Sequence, residues 1–146
     1  MSDFRRVTDD FWASPQIDPA QVREAHSRGF SLIVNNRPEG EADDQTSGPD
    51  IERAARAAGL DYCAIPITHA GFDKVQVDAL IAALSHSGGP VLAYCRSGTR
   101  STFLWALAQA RLGREPDAIA RDAAGAGYDI TPIRALLETV RQEDGH

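Results

Sequence analysis

Three short, largely apolar runs punctuate the chain: Phe30-Ser31-Leu32-Ile33-Val34, Asp61-Tyr62-Cys63-Ala64-Ile65-Pro66-Ile67 and Pro90-Val91-Leu92-Ala93-Tyr94. Each is shorter than an ordinary helix and carries β-branched or aromatic residues, so each reads as a strand. Helical patterns fill the gaps between them. Strands that alternate with helices build a mostly parallel sheet, because a parallel crossover needs a connection long enough to hold a helix, and those helices cover both faces. The predicted fold class is α/β, with a central, mostly parallel sheet of four to five strands flanked by helices. Phe4 to Val7 and Phe11-Trp12-Ala13 supply the additional short strands. Pro66 has no N–H to give to a ladder, so it places the 61–67 run at an edge or ends its pairing.

The helix boundaries are written in the caps. Asp18-Pro19-Ala20-Gln21 has the residues of a capping box with proline in the first turn, and Gly29 stops that helix after Arg28. Pro49-Asp50-Ile51-Glu52 opens a second helix that ends at Gly59. Asp73 caps a third, whose positions Val77, Leu80, Ile81 and Leu84 share one face, and Ser87-Gly88-Gly89 terminates it. A fourth begins near Arg100 and is expected to bury Phe103, Leu104, Leu107, Ala108 and Leu112. Two more span about Glu115 to Ala124 and about Thr131 to Gln142, with Asp129 in the cap of the last. The polar stretch up to about Gly48 reads as a mobile surface loop. Its acidic tract, Glu39 to Asp44, reads as a solvated segment or as a lid over a pocket.

The totals exclude several functions. A chain of 146 residues fits a single domain, 1–146, and no repeat or linker divides it. No apolar run approaches the roughly 20 residues of a membrane span. The arginines of Met1-Ser2-Asp3-Phe4-Arg5-Arg6 are not followed by an apolar stretch, so the start is not a signal peptide and a cytoplasmic location is expected. A net charge of −6, with Lys74 as the single lysine, disfavours nucleic acid as a partner. The histidines, His26, His69, His86 and His146, are far apart, and no metal or cofactor is expected. Cys63 and Cys95 are expected to be free thiols, with Cys63 packed in the core.

In parallel sheets ligands bind outside the carboxyl ends of the strands. Three loops should meet there, after Val34, after Ile67 and after Tyr94. The third, Cys95-Arg96-Ser97-Gly98-Thr99-Arg100-Ser101, joins a strand to a helix N-terminus, where backbone N–H groups and the positive end of the helix dipole favour an anion. Gly98 permits the backbone angles of a tight cradle. Ser97, Thr99 and Ser101 offer hydroxyl donors, and Arg96 or Arg100 a planar guanidinium for an oxyanion. The same field should lower the Cys95 thiol from about 8.5 toward roughly 4 to 7. A thiolate beneath a bound oxyanion is a nucleophile that forms a covalent intermediate. Arg100, on the first turn of the helix, is expected to face back toward the loop. Arg37 follows a strand on the same side, where it contacts substrate or pairs with Glu39 or Glu41. His69, in the loop after Ile67, is a further candidate for contact with substrate. The partner this predicts is a small anion, either a phosphate ester or a sulfane-sulfur donor.

The run from Pro90 to Ser101, with Leu104-Trp105-Ala106-Leu107 behind it, resembles the phosphatase-like domain of the bacterial beta-lactamase-hydrolase-like proteins. The resemblance extends to Phe11-Trp12-Ala13-Ser14-Pro15-Gln16, to the Val34-to-Glu41 turn, to Ile65-Pro66-Ile67 and to Ala126-Gly127-Tyr128-Asp129. It implies the fold of dual-specificity, cysteine-dependent phosphatases and a hydrolase that works through a covalent Cys95 intermediate. Two departures keep other chemistry open. Such phosphatases place five residues between cysteine and arginine, whereas four separate Cys95 from Arg100, and Ser101 stands where their arginine falls. That shorter loop is similar to the loop of rhodanese-type sulfurtransferases, which carry a persulfide. The phosphatases also draw a general acid from the loop matching Thr68-His69-Ala70-Gly71-Phe72-Asp73, where His69 and Asp73 are the titratable groups. Three readings follow: a phosphatase-like hydrolase, a sulfurtransferase, and a non-catalytic module that binds an anion or a phosphoprotein.

Overall fold

The computed structural model describes residues 2–144; His146, one of the four histidines, lies outside them. The elements in chain order are β1 (Arg5–Arg6), β2 (Phe11–Ser14), α1 (Pro19–Ser27), β3 (Leu32–Asn35), α2 (Gly48–Ala58), β4 (Asp61–Ala64), α3 (Lys74–His86), β5 (Val91–Tyr94), α4 (Thr99–Arg111), α5 (Pro116–Gly125) and α6 (Arg134–Asp144), the last preceded by a 3-10 turn at Thr131–Ile133. The strands form one sheet in the order β1-β2-β5-β3-β4. β2, β5, β3 and β4 are mutually parallel, and only β1 runs antiparallel. The result is an α/β domain with a five-stranded, mostly parallel sheet. No helix among the described residues is long and apolar enough to cross a membrane.

Side-chain alternation divides the interior into two cores. Leu32 and Val34 of β3, Val91 and Ala93 of β5, and Phe11 and Ala13 of β2 point to one face, where α3 to α6 pack with Leu104, Trp105 and Leu107. Ile33, Leu92, Tyr94 and Trp12 point to the other, against α1 and α2. The caps behave as their residues predict. Asp18 and Asp73 each accept from the backbone N–H three residues on, and Gln21 and Gln76 each bond back, so both capping boxes are complete. Asp129 differs: it accepts from the backbone and hydroxyl of Thr131 at 2.9 and 2.6 Å, but the N-cap of the 3-10 turn is Ile130 and α6 starts only at Arg134, so Asp129 braces the turn ahead of the helix.

Register decides where the loops emerge. Ser14, Tyr94 and Asn35 lie side by side across three parallel strands, and Ala64 is level with Asn35. The four following segments therefore leave the sheet together. The ladder continues a little beyond them: Asn36 N donates to Tyr94 O at 2.8 Å, Ile65 N to Asn35 O at 2.9 Å and Ile67 N to Asn36 O at 3.0 Å. The bonds come from the neighbours of Pro66, whose imide nitrogen lies between them, and β4 is the sheet edge. α4 begins at Thr99, close to the expected Arg100, with Gly98 as its N-cap. One expectation is corrected: Leu112, expected in the buried face, is 59% exposed, just past the helix end at Arg111.

Candidate active site

β5 runs directly into Cys95, and the chain must then turn within three residues to enter α4. Gly98 makes that turn at φ +94°, a left-handed conformation that costs an ordinary L-residue about 1–2 kcal/mol. Its carbonyl then receives both the backbone N–H of Thr102 at 3.0 Å and the Thr102 hydroxyl at 2.9 Å. Its own N–H points the other way and donates to the Cys95 sulfur at 3.1 Å. At the rim the Ser97 hydroxyl donates to Thr99 Oγ1 at 3.0 Å, and Thr99 N donates back to Ser97 Oγ at 3.3 Å. Cys95 is fully buried, with its sulfur at the bottom of the loop. Ser101 is fully buried, and its hydroxyl has no protein partner.

Arg100 turns back over this loop. Nη1 and Nη2 each donate to one oxygen of Glu41, both at 2.8 Å, and Nη1 also donates to the Ile67 carbonyl at 3.0 Å. A guanidinium has five N–H bonds in a fixed plane. These contacts use three, and the remaining two, on Nε and Nη2, lie along one edge. That edge is a fork shaped for two oxygens of one anion. Arg100 titrates higher than usual, chiefly through Glu41; burial opposes this, and the Cys95 sulfur nearby adds to it.

Glu41 also accepts from Arg37 Nε at 2.9 Å, so one carboxylate joins two guanidinium groups. Arg100 is the main reason its pKa falls from 4.5 to about 2, against the effect of burial and with help from Arg37. Arg37 is only 5% exposed and does not stand free to meet substrate. Its Nη1 donates to Gln16 Oε1 at 3.0 Å and its backbone N–H to Asn35 Oδ1 at 2.9 Å. The loop after β3, expected to be mobile, is tied at both ends. Glu39 accepts from Gly48 N, Gln45 Oε1 accepts from the backbone of Glu41 at 3.0 Å, and Gln45 Nε2 donates to the Pro38 carbonyl at 2.9 Å. The tract forms a strap because one of its carboxylates, Glu41, meets the buried Arg37 and the partly exposed Arg100.

The candidates therefore separate. Cys95 and Gly98 meet at the base of the loop with Arg100 over them, Ser97 and Thr99 form its rim, and Ser101 is buried in the first turn of α4. The Arg96 side chain is exposed, while its carbonyl accepts from Gln16 N at 3.3 Å. His69 is exposed on the loop two residues after Ile67, whose carbonyl holds Arg100. Asp73 is engaged in its capping box. Cys63 packs beside the core, where burial pushes its thiol up. The link from Glu41 to Arg100 spans 59 positions, and no spacing in the sequence announces it. Tyr128, part of the Ala126-to-Asp129 stretch that carries the resemblance, reaches the loop: its hydroxyl donates to the Ser97 carbonyl at 3.1 Å.

A buried cysteine at a strand end, inside a strand–loop–helix cradle and beneath a tethered arginine, defines the phosphatase-like class of cysteine-loop α/β proteins. The likeness is borne out in solved structures. A Neisseria meningitidis protein provisionally named a phosphatase superposes with a TM-score of 0.85 at 29% identity, over 97% of this chain and 100% of that one. A Shewanella putrefaciens protein, also provisionally named a phosphatase, gives 0.77 at 25% identity, over 100% and 95%. Residues 3–112 match the family described as beta-lactamase hydrolase-like protein, phosphatase-like domain, and the chain belongs to that family. The beta-lactamase hydrolase-like protein of Agrobacterium fabrum is 36% identical over 113 residues, which are 77% of this chain and 26% of that protein. The chain thus spans about a quarter of the length of the curated relatives it matches.

Proposed function

We propose that this protein is a cysteine-dependent phosphatase that hydrolyses a phosphate monoester through a covalent Cys95 intermediate. The observation that carries the reading is the tether on Arg100. Glu41 and the Ile67 carbonyl fix the guanidinium beside the sulfur, and its Nε/Nη2 edge is left for two oxygens of a phosphoryl group. The Cys95 thiolate attacks phosphorus; a P–S bond forms as the bond to the ester oxygen breaks. Arg100 and the loop N–H groups balance the charge on the equatorial oxygens, an electrostatic contribution fixed before the substrate arrives. Ser97, Thr99 and Ser101 supply further hydroxyls, and Arg96 at the rim meets charge on the rest of the substrate. Water then attacks phosphorus, the P–S bond breaks, and phosphate leaves the regenerated thiolate.

The departing oxygen needs a proton. Asp73 is held by the cap of α3, and His69 is the titratable side chain of the 68–72 loop. In this reading the His69 imidazolium protonates the leaving oxygen and its neutral form then takes a proton from the attacking water. Free thiols at Cys63 and Cys95 suit a reducing compartment, consistent with a cytoplasmic protein acting on a small anionic substrate.

The loop with four residues between Cys95 and Arg100 favours one second reading, sulfur transfer by a Cys95 persulfide. A paired assay separates the two. The protein is incubated with an aryl phosphate and, in parallel, with thiosulfate plus cyanide, with Cys95→Ser as the control. Phosphate release that disappears in Cys95→Ser is the expected result. Thiocyanate formation that disappears in the same control, without phosphate release, overturns the phosphatase. Binding of inorganic phosphate with no turnover of either substrate would instead leave a non-catalytic binding module.

A further inference from the structure

Among the cavities and side-chain clusters outside the reacting groups, the contact between Tyr128 and the cysteine loop carries the furthest consequence. The Ser97 carbonyl and the Gly98 N–H belong to one peptide unit. That peptide is trans, so the two groups point in opposite directions across a rigid plane. On one side the Tyr128 hydroxyl donates to Ser97 O at 3.1 Å. On the other the Gly98 N–H donates to the Cys95 sulfur at 3.1 Å.

We propose that Tyr128 is a positioning residue for the nucleophile: by holding the Ser97 carbonyl it keeps the Gly98 N–H on the Cys95 sulfur and so stabilises the thiolate. A glycine at positive φ turns its peptide planes more freely than any other residue, and a loop built on one needs an external hold. Tyr128 supplies it. Its ring is nearly buried, with the Arg5 guanidinium 5.1 Å from the ring centroid, and Arg5 is itself held by Asp3 at 3.0 Å. Its hydroxyl also occupies the space that a side-chain Cβ on Gly98 would need, so Tyr128 leaves room only for glycine there. The inference rests on the reading of Cys95 as a nucleophilic thiolate. It adds a residue from outside the 3–112 segment that matches the family.

The charged group beside the sulfur is Arg100 on α4; Glu41 of the strap holds Arg100 and is in turn held by Arg37, and the Asp3–Arg5 pair lies behind Tyr128. Tyr128→Phe leaves all of them in place and keeps the ring. The test follows thiolate ultraviolet absorbance against pH, taken as the difference from Cys95→Ser, which requires no reagent to reach the buried sulfur. Losing one hydrogen bond to the sulfur should move the midpoint up by about one pH unit, so that the thiolate fraction well below it falls about tenfold. An unchanged midpoint in a variant that melts like the wild type overturns the inference while leaving the phosphatase standing. A wild-type midpoint equal to that of an ordinary thiol, about 8.5, overturns both. A second measurement uses only the wild-type chain. The Gly98 amide resonance should titrate together with Cys95, and if it does not, the relay from Tyr128 ends short of the sulfur and the inference fails.

Discussion

At Glu41 one carboxylate holds Arg100 by two bonds of 2.8 Å and Arg37 by one of 2.9 Å. Glu41→Gln keeps the size but replaces one acceptor oxygen with an amide, and it removes the charge. Turnover of an aryl phosphate should fall about ten- to hundredfold, because small displacements of an orienting group are costly in a reacting geometry. The same residue predicts a pH effect. Its pKa in the folded chain is depressed from 4.5 to about 2, so its contribution to stability is complete above about pH 4.5 and is lost as pH falls toward 2. Denaturant titrations across that window should show a flatter acid limb for Glu41→Gln than for the wild type. Arg100→Lys retains the charge but not the planar fork. A loss of about 10²- to 10³-fold in kcat is expected, the scale seen when one oxyanion donor is removed. Full activity in Arg100→Lys would show that a point charge suffices.

α3 carries the other disputed carboxylate. Asp73 accepts from Gln76 N at 2.9 Å while Gln76 Oε1 accepts from Asp73 N at 2.9 Å, which is what fixes the start of the helix. Asp73→Ala should cost about 1 kcal/mol of stability, and Asp73→Ser, which can still cap, should cost much less. Both should turn over substrate at near the wild-type rate. If Asp73 were the general acid, both would instead lose about 10²- to 10⁴-fold on an alkyl phosphate ester. Loop and helix are separate here: the Ile67 carbonyl accepts from Arg100, while Asp73 serves the start of α3.

Across the whole molecule the site depends on a core that keeps four strand ends level. Trp105 of α4 is 1% exposed and stacks on Phe11 of β2 with ring centroids 5.9 Å apart. It joins the helix that begins the anion cradle to the strand beside β5. Trp105→Ala should cost about 3–5 kcal/mol, a large part of the 5–15 kcal/mol typical of a domain. For a chain of this size that is a fall of about 10 °C in Tm, read by circular dichroism. Retention of the wild-type melt would mean that the interior closes around the gap.

Local signals determined the elements and pointed to Cys95 as the candidate nucleophile. The capping residues Asp18 and Asp73, the punctuating glycines and the alternating runs act over a few positions, and they fixed the helices, the strands and the passage from Tyr94 into the Cys95 loop. Pro66 even marked its strand as the edge. The tertiary structure alone decided what surrounds the sulfur. Glu41 reaches Arg100 from 59 positions away, and Tyr128 reaches the Ser97 carbonyl from 31. An acidic tract such as Glu39 to Asp44 reads as solvated in any local window, because its charge says nothing of a partner. Only the parallel register, which brings Ser14, Tyr94, Asn35 and Ala64 to one level, carries that tract over a buried arginine and turns it into part of the site.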